Sequence, residues 1–81
     1  SYSGDYGPRK LSFNDGKLYY QREGNPKHEL IPLTSTLFMI EEIPYFRVEV
    51  AINDGKPEAI VGHYSNGRTD RSPRTDKIGT N

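Results

Sequence analysis

The sequence predicts an all-β protein, a small antiparallel meander curled over its own apolar face into a partly open barrel. Three observations carry that expectation. Eight glycines and six prolines punctuate 81 residues, and Pro8, Pro26, Pro32, Pro44, Pro57 and Pro73 would each break an interior helical turn. Between them lie short runs in which apolar and polar residues alternate, the period of a half-buried strand. Asp-Gly steps separate two pairs of these runs, and glycine accepts the positive φ that a tight hairpin demands. Only 32% of the residues are apolar, so the core is thin and suits one sheet closing on itself.

The elements follow in order. Leu11 and Phe13 alternate with Lys10 and Ser12 before the turn at Asn14-Asp15-Gly16. The run 17–22 follows, with Leu18 and Tyr20 on one face and Tyr19 and Gln21 on the other. Gly24-Asn25-Pro26 is a loop, and 28–33 a strand whose Pro32 suits an edge or a bulge. The stretch 33–43 is the one long enough for a helix, with Ser35 as its cap. A capping box would need Glu or Gln where Phe38 stands, and Glu41 and Glu42 would fall at the negative end of the dipole. A strand over 36–40 and a turn through Glu42 to Pro44 is the better reading. In 45–52, Phe46, Val48, Val50 and Ile52 alternate with Arg47, Glu49 and Ala51; Asn53-Asp54-Gly55 then turns the chain into 58–64. Ser65-Asn66-Gly67 can fold Arg68 and its neighbours back as a short last strand. The sum is six or seven strands. The inward set is Leu11, Phe13, Leu18, Tyr20, Leu30, Leu37, Met39, Phe46, Val48, Val50 and Ile60 or Val61. Residues 1–70 form one β-domain, and 71–81, poor in apolar groups, a flexible tail.

Composition narrows the function. Eleven basic and eleven acidic residues cancel, so no whole-chain field attracts nucleic acid or an anionic membrane. No apolar run approaches the length of a membrane span, and no membrane insertion is expected. The absence of cysteine excludes a disulfide scaffold and thiolate-ligated metals. The chain begins at Ser1 and its one methionine is Met39, which suggests a piece of a longer polypeptide. So thin a core also suggests that a neighbouring domain or a second copy, as in a homodimer, completes the fold.

Motifs for chemistry are sparse. His28 and His63 fall on different strands without sequence-local partners, so no metal site is expected. There is no Gly-x-Ser-x-Gly elbow. Gly62-His63-Tyr64-Ser65-Asn66-Gly67 lacks the Gly-Lys-Ser/Thr ending of a phosphate cradle. Glu41 and Glu42, adjacent on an extended chain, point apart and cannot share a proton. No catalytic residue, cofactor or metal ligand is assigned. Tyrosine is the residue that stands out: Tyr19, Tyr20, Tyr45 and Tyr64 are placed to line a concave face that holds a ligand by stacking, although tyrosine is also a good strand former whose hydroxyl stays wet. Arg68, Arg71 and Arg74 form a basic cluster diluted by Asp70 and Asp76. The candidate contact residues for a ligand or a domain are Tyr20, Tyr45, Tyr64 and Arg68.

Several stretches also carry a likeness. They are Asp15-Gly16-Lys17-Leu18-Tyr19-Tyr20-Gln21-Arg22-Glu23-Gly24-Asn25-Pro26-Lys27, Leu30-Ile31-Pro32-Leu33, Tyr45-Phe46-Arg47-Val48, and Val61-Gly62-His63-Tyr64-Ser65-Asn66-Gly67-Arg68. Together they resemble the small C-terminal β-domain appended to bacterial serine hydrolases, behind tail-specific (retinoid-binding-protein-like) peptidases and β-lactamase-like enzymes. The likeness covers roughly residues 6–74 and consists of turn and core residues. It implies a lipocalin-like barrel with a non-catalytic accessory role, its partner the adjacent catalytic domain of the same polypeptide. It also implies a bacterial, exported parent, periplasmic or at the cell surface. The family's catalytic serine and base lie in the preceding domain and match no residue here.

Overall fold

The same tetrapeptide, Asn-Asp-Gly-Lys, makes two of the hairpins. In the computed structural model, which describes residues 2–76, Asp15 and Gly16 have φ of 55° and 77°, and Asp54 and Gly55 have 54° and 75°. Two consecutive left-handed residues are the signature of a type I′ turn, whose twist matches that of the strands it joins. Asn14 accordingly pairs with Lys17, and Asn53 with Lys56.

The described residues contain eight strands: β1 (Gly4–Tyr6), β2 (Arg9–Asn14), β3 (Lys17–Arg22), β4 (His28–Pro32), β5 (Leu37–Ile40), β6 (Ile43–Asn53), β7 (Lys56–His63) and β8 (Thr69–Pro73). Each pairs antiparallel with the next, in the order β1-β2-β3-β4-β5-β6-β7-β8. The sheet is the expected all-β meander, curled into a nearly closed barrel with an unsealed seam between its first and last strands. An even strand number sets β1 and β8 antiparallel across that seam. There the chain after β8 makes the bridges: Thr75 N donates to Asp5 O (2.8 Å), and Asp5 N donates to Asp76 Oδ1 (3.0 Å).

The core is the inner face of that curl: Tyr6, Leu11, Tyr20, Leu30, Phe38, Ile40, Phe46, Val48, Val50 and Ile60. Alternation assigned most of this set. It gave the wrong phase on β5, where Leu37 and Met39 were the expected inward pair and Phe38 and Ile40 are the buried one. The segment Leu-Phe-Met-Ile is apolar on both faces, so its period carries no phase. Register supplies it: Phe38 lies opposite inward Val48, and Leu37 opposite Glu49. Phe13, also expected inside, is 63% exposed because it sits at the tip of the β2–β3 hairpin, past the rim. Of Ile60 and Val61, Ile60 is the buried one, opposite Val50.

Two further differences concern the ends. The first strand, β1, was not anticipated, and Tyr6 within it is fully buried with its hydroxyl donating to Tyr2 O (2.8 Å). A polar, glycine-containing triplet has no alternation to announce it; pairing with β2 makes it a strand. At the other end, β8 runs through the 70/71 boundary where a tail was expected to begin, confirming the last strand expected after Asn66-Gly67. Arg74, Thr75 and Asp76 then dock on β1. The rest of the expected tail, 77–81, lies outside the described residues.

Candidate functional site

In an up-and-down barrel, odd strands end and even strands begin at the same rim. That rule gathers Tyr20 and Arg22 at the end of β3, His28 at the start of β4, Ile43, Tyr45 and Phe46 at the start of β6, and Tyr64 just past β7. With Asn25 and Pro26 of the β3–β4 loop they surround a cavity of about 400 Å³. The loop is fastened by Asn25 N donating to Arg22 O (2.8 Å) and Gln21 Nε2 donating to Asn25 O (3.0 Å). Across the mouth, His28 Nδ1 approaches Glu42 Oε1 to 3.4 Å.

Aromatic rings form the wall. Phe46 lies between Tyr20, 6.1 Å away at 51°, and Tyr64, 5.0 Å away at 48°, tilted pairings that suit ring quadrupoles. Tyr45, its neighbour on β6, alternates outward and stands at the lip, 64% exposed. Glycine at 62 makes room for this stack. A Cβ there would come within 3.1 Å of the Phe46 ring and 2.9 Å of Asp70 Oδ1.

Behind Tyr64 the wall rests on a charged cluster. Arg9, 3% exposed, donates from Nη2 to Asp70 Oδ2 (2.9 Å) and to Tyr64 Oη (3.3 Å), and from Nη1 to Ser72 Oγ (2.7 Å). Nη1 is also 2.8 Å from Asp70 Oδ1, an ion-pair contact without the alignment of a hydrogen bond. Tyr64 Oη donates to Asp70 Oδ2 (2.7 Å). Burial opposes the charge on Arg9, yet the bond to Asp70 and the surrounding acidic groups hold its affinity for the proton above the ordinary arginine value. Asp70 is held below the usual carboxylate range by the Arg9 hydrogen bond, which outweighs burial, with a smaller contribution from Tyr64. Burial, then the Asp70 hydrogen bond, pushes the Tyr64 phenol up.

Of the sequence candidates, Tyr20, Tyr45 and Tyr64 share the cavity and Arg68 does not. Arg68 borders a smaller hollow on the far side of Tyr64, with Asn66, Thr69 and Asp70. Tyr19 takes the outer face of β3, opposite Ser12 and Glu29. The basic cluster is dispersed: Arg71 pairs with Glu58 (2.6 Å) and Arg74 with Asp76 (3.0 Å). The two histidines do not converge, since His63 Nε2 sits 2.8 Å from Glu49 Oε1 while His28 lies at the mouth. Among the described residues no group of three or more His, Asp or Glu is placed to hold a metal ion. Arg22, His28 and Phe46 join the site without having been singled out for it. Their strand-end positions were the available signal, since ends of alternate strands share a rim.

No family model, curated protein or solved structure matches the chain, and nothing in those comparisons links it to a serine hydrolase or another parent protein.

Proposed function

We propose that this barrel is a binding module that takes a small ring-bearing ligand at its aromatic mouth. The observation that supports it is the meeting of Tyr20, Tyr45, Phe46 and Tyr64 around one cavity of about 400 Å³. That volume falls within the range of about 300–1,000 Å³ typical of small-molecule sites, and apolar walls with few polar groups are their usual lining. Tyr45 serves as the open stacking face, since little of its ring is covered in the free protein. The test is a two-dimensional NMR titration with aromatic and carbohydrate ring compounds. Saturable shifts at Tyr20, Tyr45, Phe46 and Tyr64, weakened in Tyr45→Ala, are expected. Shifts scattered over the barrel, or none with any ring compound, would overturn the reading.

A second reading is favoured by the opposite rim. Phe13, Leu33 and Ile52 are 63%, 47% and 41% exposed there, each at a hairpin end. Exposed apolar tips suit an accessory domain that docks on a neighbour. Under the family likeness that neighbour is the catalytic domain of an exported bacterial serine hydrolase. Deleting this domain from the full-length gene product should then lower the hydrolase's stability or activity, and an unchanged enzyme would count against docking.

A further inference from the structure

Resting on the binding-module reading, we infer that the mouth selects flat aromatic compounds that carry an anionic group, with Arg22 as the partner of the anion. Charge around the cavity points this way. Arg22 lines it beside Asn25 and Pro26, is exposed, and among the described residues has no carboxylate in ion-pair contact, Asp70 acting on it only through space. Two neighbouring groups already have partners within the protein. His28 faces Glu42, and Arg9 is bound to Asp70 behind Tyr64. The lining therefore presents one fixed positive charge, and no carboxylate of its own, at the edge of an apolar, ring-walled hollow. An anion placed there exchanges water for a charge-assisted bond without having to displace an internal carboxylate.

The polar groups favour an aromatic ring over a sugar. A sugar needs several convergent donors and acceptors for its hydroxyls, and three of those at the wall are engaged elsewhere. The Tyr64 hydroxyl donates to Asp70 and accepts from Arg9, Asn25 O accepts from Gln21, and His28 Nδ1 is turned to Glu42. The faces of Tyr20, Tyr45, Phe46 and Tyr64, with Pro26 and Ile43, offer apolar contact instead. The cavity is near the small end of the usual range, which fits one or two fused rings.

The experiment compares 2-naphthoate, the uncharged 2-naphthamide and methyl β-glucoside by NMR titration of the protein and of Arg22→Gln. Naphthoate should bind about tenfold more tightly than naphthamide, the effect of one partly exposed charge-assisted bond. Arg22→Gln should remove that ratio, weakening naphthoate far more than naphthamide, and Arg22→Lys should restore part of it. Added salt should weaken naphthoate alone. Equal binding of naphthoate and naphthamide, or a ratio that survives Arg22→Gln, overturns the inference and leaves the binding module standing. Binding of the glucoside alone does the same. Absence of binding by all three overturns the inference, and extending that silence to the wider ring panel overturns the module itself. The amide spectrum of Arg22→Gln should match that of the parent away from the mouth, which separates loss of charge from loss of fold.

Discussion

Arg9 of β2 and Asp70 of β8 meet inside the barrel, sixty-one residues apart in the chain, with Nη2 2.9 Å from Oδ2. The guanidinium is almost wholly buried, whereas the aspartate side chain keeps 42% of its exposure. A buried charge without a partner is far more costly than a solvated one. The pair, with Ser72 accepting from the same guanidinium, therefore links the second strand to the last beneath the open seam.

That asymmetry in burial makes the two halves of the pair unequal. Asp70→Asn leaves Arg9 charged and enclosed, and should cost about 2–4 kcal/mol, the usual loss for a broken buried pair reduced for the carboxylate's exposure. Arg9→Met leaves a carboxylate that water can reach and an apolar chain that fills the stem's space, so its cost should be smaller. Urea denaturation of both variants checks the order. A larger loss in Arg9→Met would show that the ion pair is not what the interior depends on.

Acid should loosen the same link. The folded pKa of Asp70 is depressed, chiefly by the Arg9 hydrogen bond, so the carboxylate contributes stability that is present above the unfolded value of about 3.9 and lost as pH falls through the lower folded value. Asp76 adds to the same acid limb. Its partial burial is outweighed by the Arg74 hydrogen bond and the Asp5 amide, so its pKa is also lowered. Urea midpoints measured from pH 7 to pH 2 should decline below about pH 4, and the decline should be shallower in Asp70→Asn. Parallel curves for the two proteins would assign the acid limb to other carboxylates.

Gly62→Ala should strain the aromatic wall. The added methyl meets Asp70 Oδ1 at 2.9 Å and the Phe46 ring at 3.1 Å, so one of them must move. Overpacking of this kind costs about 1–3 kcal/mol. A lowered Tm with displaced Phe46 and Tyr64 ring resonances is the expected outcome. An unchanged spectrum would mean that the stack has slack.

Local rather than global loosening should follow Arg74→Ala. The Arg74 guanidinium lies 5.3 Å from the centre of the Tyr6 ring, donates to Ser3 O and pairs with Asp76. Removing it should quicken hydrogen exchange at the Asp5 and Thr75 amides, which bridge the seam, while β6 and β7 keep their protection. Uniform acceleration across the sheet would place the seam within the globally cooperative unit.

Much of the fold was legible because its rules are local. Period-two alternation marks β2, β3 and β6, and Asp15-Gly16 and Asp54-Gly55 need only their own φ angles to turn the chain. For the site, tyrosine content pointed to Tyr20, Tyr45 and Tyr64, but not to Arg22, whose place in the site comes from the rim that its strand reaches. Arg68 was drawn in by its arginine neighbours and separated again by the wall at Tyr64.

By itself the sequence determined the all-β class, the positions of two tight hairpins and the inward faces of β2, β3, β4 and β6. Tertiary structure decided the phase of β5, the exposure of Phe13 beyond the rim, the recruitment of residues 4–6 as a strand and the meeting of Arg9 with Asp70. The division has one physical reason. Turns and alternation are set by the conformational preferences of adjacent residues. Phase in a doubly apolar strand, distance from a rim and the partner of a buried charge are set by which strands close on which, and that is a property of the whole barrel.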